Sequence, residues 1–71
     1  MSPSTIRELR ACLGLTQARA AALFGVDHRT WVKWEGAERS MPGPAQRLLL
    51  LIARYPDSRE HLESLTQQAA N

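Results

Sequence analysis

A chain of 71 residues with a single cysteine cannot brace itself covalently, and this narrows its possible folds more than any other feature. A domain this short buries only about 60% of the surface its unfolded chain exposes, so it is marginal alone. Such chains usually add a disulfide, a metal or a partner subunit. Cys12 has no second cysteine to pair with. Together with His28 and His61 it falls short of a four-ligand zinc set. A compact helical core remains, with dimerisation as the expected reinforcement and no cofactor or metal expected. A free thiol without a disulfide framework suits a reducing cytoplasm. The longest apolar run, Leu48 to Ala53, is far short of the roughly 20 residues that span a bilayer, so no membrane contact is expected. The opening Met1-Ser2-Pro3-Ser4 has no basic stretch leading into an apolar one, so no signal peptide is expected.

Nothing in the chain alternates apolar and polar residues as a strand would, whereas helix signals occur five times. Ser2 and Pro3 suit an N-cap and first helical position, with Ile6, Leu9 and Leu13 following at helical spacing and Gly14 as the stop. Thr16 caps a second helix whose inner face is Ala20, Ala21 and Phe24, and Gly25 ends it. Asp27 caps a third, with Trp31 and Trp34 three residues apart and Trp34 expected half exposed. A loop over residues 36–43 leads to a fourth helix from Pro44 to about Arg54, broken by Tyr55-Pro56. Asp57 or Ser58 caps a fifth, with Leu62 and Leu65 inward and a frayed tail from Gln67 to Asn71. The expected fold is all-α, five short helices around one core in a single domain.

Charge is unevenly spread. Residues 1–54 hold eight Lys/Arg against four Asp/Glu, net +4, while residues 55–71 hold one Arg against three acids, net −2. The front of the chain suits a polyanion with the tail held away from it. Ordinary surface scatter gives the same imbalance, so charge alone does not decide.

The segment from Thr16 to Glu35 is more informative. Two short helices joined by Gly25-Val26-Asp27, a three-residue turn containing glycine, form the pattern of a helix-turn-helix. Small Ala21 lets the helices cross closely, and Val26 fills the gap between them. With both tryptophans inward, His28, Arg29 and Lys33 point outward, Arg29 and Lys33 four apart on one face. A major groove admits a helix whose N-terminal residues reach base edges, where Arg and Lys donate to guanine. As a metal ligand or general base His28 would need a second group nearby, and none is present. No nucleophile–base set or phosphate loop appears, so no enzymatic activity is expected. A chain this short also leaves little room for a small-molecule sensor.

The run Leu13-Gly14-Leu15-Thr16-Gln17, then Ala21, Phe24-Gly25-Val26, Thr30-Trp31 and Lys33-Trp34-Glu35, resembles the Cro/C1-type (XRE) helix-turn-helix family over roughly Ser2 to Arg54. The resemblance implies a lambda-repressor-like five-helix domain that binds double-stranded DNA. It implies a phosphate or outer-base contact for Gln17, base contacts from the third helix through His28, Arg29 and Lys33, and a DNA-binding place for Thr30 beside them. Backbone contacts are implied for Arg39 and Ser40 in the following loop, and a structural ion pair between Arg10 and Glu35. In one respect the chain departs from the family, which commonly reads Trp-Glu-x-Gly. Here Gly36 follows Glu35 directly, and Ala37 comes next.

Leu48, Leu49 and Ile52 suffice for the inner face of the fourth helix, so Leu50 and Leu51 are surplus. With Tyr55, Leu62 and Leu65 they are the expected interface of a homodimer. The implied function is a homodimeric transcriptional repressor of a phage or mobile-element operon, bound to an inverted-repeat operator. Domains of this size serve phage repressors, anti-CRISPR-associated regulators, restriction–modification controllers and antitoxin-type regulators. The alternative is a protein-binding module of the antitoxin type, whose last helix holds a partner protein.

Overall fold

The computed structural model describes residues 1–69, with side chains to residue 65. Five helices follow in order: α1 (Pro3–Cys12), α2 (Gln17–Phe24), α3 (His28–Glu35), α4 (Gly43–Arg54) and α5 (Asp57–Ala69). No strand occurs among the described residues. Of the tail expected to fray, residues 67–69 continue α5, and residues 70 and 71 lie outside the described residues.

The first three helices start alike. Ser2, Thr16 and Asp27 each hold an extended backbone and accept a bond from the amide three residues on, at 3.2, 3.1 and 3.0 Å. Each bond satisfies one amide that the helix itself leaves unpaired. The same three helices also end alike. A left-handed residue is followed by an amide that reaches back over the last turn: Leu15 to the Arg10 carbonyl (3.2 Å), Val26 to Ala21 (3.0 Å) and Glu38 to Lys33 (3.0 Å). The left-handed residues are Gly14 (φ 71°), Gly25 (φ 73°) and Ala37 (φ 64°). The first two are the glycines expected there. At the third, Gly36 has an ordinary φ of −93°, and alanine occupies the position that favours glycine. The departure at Gly36-Ala37 therefore places a side chain where the backbone disfavours one, at a cost of about 1–2 kcal/mol.

Trp31 is the centre of the core. It is fully buried, with Ile6, Leu49 and Ile52 close behind it. Phe24 meets it edge-on, ring centroids 4.9 Å apart, and Trp34 meets it tilted at 5.4 Å. Trp34 is only 3% exposed, so it is not the half-exposed residue expected. Met41, from the loop after α3, is buried in the same core cluster, and the Trp34 indole nitrogen is the one buried side-chain nitrogen or oxygen without a partner among the described residues. On α2 the deep positions are Ala20, Ala21 and Leu23, while Phe24 is half-buried.

Two expectations for α5 fail. The helix starts at Asp57 itself, and the Ser58 hydroxyl and amide both donate back to the Tyr55 carbonyl, at 2.6 and 2.9 Å. Ser58 thus closes a tight turn and does not cap the helix. Leu62 packs on the core, but Leu65 is exposed. Three residues of helix rotate it about 60° from Leu62, which suffices to carry it out of the contact. Arg59 does part of the anchoring instead, donating to the Leu13 carbonyl at 2.6 Å and to Glu63 at 3.0 Å. No helix among the described residues is long and apolar enough to cross a membrane.

Candidate nucleic-acid interface

The outer face of α3 is presented by what holds its inner face, and the anchor is Glu35. This carboxylate is 4% exposed at the last turn of α3. Arg10 grips it twice, Nε to Oε2 at 2.6 Å and Nη2 to Oε1 at 3.1 Å. The third Arg10 nitrogen donates to the Leu15 carbonyl at 2.8 Å, tying in the turn before α2. Trp31 Nε1 donates to Oε2, and Gln17 Nε2 to Oε1 at 3.2 Å. Arg7 adds a long bond to the Glu35 carbonyl at 3.4 Å. Burial pushes the Glu35 carboxyl up, but the hydrogen bonds from Arg10, Trp31 and Gln17 and the Arg10 charge outweigh it, holding the group below its ordinary value. The bond to Glu35 raises Arg10 against the opposing effect of its partial burial. Side chains from α1 and α2 thus meet α3 at a single charged group.

With Trp31, Trp34 and Glu35 turned inward, Arg29, Val32 and Lys33 form a stripe on the opposite side at helical spacing, continued by Gly36. His28 and Arg29 are exposed and Lys33 half-buried, and none makes a side-chain hydrogen bond or ion pair among the described residues. Thr30 lies to one side, half-buried. Its amide is held by Asp27 at 3.0 Å, and bonds from Thr30, with the nearby Arg29 charge, lower the Asp27 carboxyl. Arg39 and Ser40 are exposed, on the loop beyond α3 and not on its face. They help line an open cleft of about 340 Å³ with Trp34 and Met41.

Gln17 has a structural contact that the resemblance does not imply. It opens α2, but its amide nitrogen is bound to Glu35. A buried carboxylate has about four acceptor positions, more than Arg10 and Trp31 fill, and Gln17 takes the next. Two residues with a place near this surface escape a reading by charge and capping. Val32 is 41% exposed within the stripe. Its place three residues after Arg29 and one before Lys33 was the available signal. Arg7, 60% exposed beside Glu35, carried none, since its neighbour is 28 positions away.

Far along the chain, Leu50, Leu51, Tyr55 and Leu65 are 49, 48, 59 and 61% exposed. Leu62 is partly covered by its own chain.

No protein-family model matches this chain, and neither does any curated protein or solved structure. The resemblance to the Cro/C1-type family therefore rests on the residues that carry it.

Proposed function

We propose that this protein is a sequence-specific regulator that binds double-stranded DNA, with α2, its glycine turn and α3 acting as a helix-turn-helix in a lambda-repressor-like domain. The observation that carries the reading is the outer stripe of α3. Arg29 and Lys33 stand there without an ion pair or side-chain hydrogen bond among the described residues, on a helix whose inner face is locked by Trp31, Trp34 and Glu35. Unpaired cations suit a polyanion, and a rigid short helix suits the major groove. Arg29 and Lys33 are read as base contacts, with His28 at the helix start. Arg39 and Ser40 are read as phosphate contacts.

One such helix covers only a few base pairs, too few to select a site among the roughly 10⁶ or more competitors in a genome. The reading therefore includes a two-fold dimer on an inverted repeat, formed through Leu50, Leu51, Tyr55 and Leu65. Repression of a phage or mobile-element operon by covering its promoter is the simplest consequence. Duplex binding measured at several salt concentrations tests the reading. Affinity should fall steeply with salt, and Arg29→Ala and Lys33→Ala should each weaken it. Absence of binding at low salt would rule it out.

A further inference from the structure

A lone exposed valine is ordinary on a protein surface. Val32 is set apart by its neighbours. It lies in the stripe Arg29, Val32, Lys33, Gly36, beside two cations that form no ion pair among the described residues. Neither long side chain covers it, since it stays 41% exposed. Gly36 follows on the same stripe with no side chain at all, leaving room for a surface to approach. Valine is also a poor choice for an exposed position in an eight-residue helix on propensity alone.

We infer that Val32 is a specificity determinant that packs against the C5 methyl group of a thymine. The inference rests on the DNA-reading role proposed for α3. Among the base edges in the major groove, only thymine presents an apolar group. A valine has no donor or acceptor, so above cytosine or guanine it would cover polar edges and leave them unpaired. Above thymine it loses nothing and buries a methyl group. Its branched Cβ leaves one preferred rotamer in a helix, so little side-chain freedom is lost on contact. Arg29, one turn before it, and Lys33, next in the chain, set the register that brings it to a single base pair.

The test uses duplexes selected by the wild-type protein. Each thymine is replaced in turn by deoxyuridine, which removes only the C5 methyl. One position per half-site should weaken wild-type binding about fourfold, the equivalent of one buried methyl group. Val32→Ala, which keeps the helix, should bind the thymine and deoxyuridine duplexes equally. Arg29→Ala should bind both more weakly but keep the difference between them. If no replacement matters, or if Val32→Ala still discriminates, the assignment is overturned while DNA binding stands. If the wild-type protein selects no duplex, the DNA-reading role falls and the assignment falls with it.

Discussion

At the residue scale, Glu35 has the largest structural consequences. A carboxylate 4% exposed is tolerable only because Arg10, Trp31 and Gln17 all donate to it. Removing one member of such a buried pair leaves a charge uncompensated and typically costs about 3–5 kcal/mol, far more than a surface ion pair. Arg10→Met and Glu35→Leu should each approach that loss, and the double variant should recover much of it. Chemical denaturation of the four proteins measures the coupling, and a value below about 0.5 kcal/mol would make the pair incidental. The lowered carboxyl also fixes a pH dependence. The folded state holds the Glu35 proton less tightly than the unfolded chain, so its stabilisation is full above the ordinary glutamate range. It is lost as pH falls through the lowered value. Denaturation midpoints across the acid range should show this loss, and Glu35→Gln should reduce it. Ala37 gives the opposite kind of prediction. Its φ of 64° is strained for alanine, so Ala37→Gly should raise stability by roughly 1 kcal/mol. A destabilised Ala37→Gly would show that the turn carries no such strain.

At the scale of the element, features set by neighbours in sequence were legible and those set by distant neighbours were not. Ser2, Thr16 and Asp27 cap where their side-chain chemistry says they should, and Gly14 and Gly25 stop helices because the turn needs a left-handed residue. Trp31 was legible as a core residue from spacing alone. The half-exposure expected of Trp34 failed because Trp34 joins a core cluster built from several elements, Met41 of the following loop included, and no periodicity within α3 encodes that. The bond from Gln17 to Glu35 was not legible for a similar reason, since the two are 18 positions apart. The outer stripe was legible by charge, which is why Arg29 and Lys33 were found and the uncharged Val32 was not. Three expectations belong at this scale. Trp31→Ala should cost about 3–5 kcal/mol and abolish cooperative melting near the wild-type temperature. Arg29→Ala should cost about 1–3 kcal/mol on a matched duplex and relax choice at one base pair per half-site. Arg39→Ala should instead weaken all duplexes alike and lower the salt slope by about one. Equal losses on matched and mismatched duplexes would make Arg29 a phosphate contact.

At the scale of the whole molecule, a domain this small gains from a partner, and its surface offers a place for one. Leu50, Leu51, Tyr55 and Leu65 are exposed apolar side chains from α4 and α5 and the turn between them. None belongs to the α3 stripe, so a two-fold contact there leaves both reading faces free. Sedimentation at micromolar concentration should show a dimer, and Leu51→Glu should give a folded monomer with much weaker duplex binding. A wild-type monomer that binds a single half-site as tightly as the full repeat would remove the dimer from the account. The central claim is that α3 reads DNA in pairs, and selection of bound duplexes from a random pool tests it most directly. The account predicts one enriched inverted repeat, its half-sites about 34 Å apart on one face of the duplex. Recovery of a pool no different from the starting mixture would contradict it.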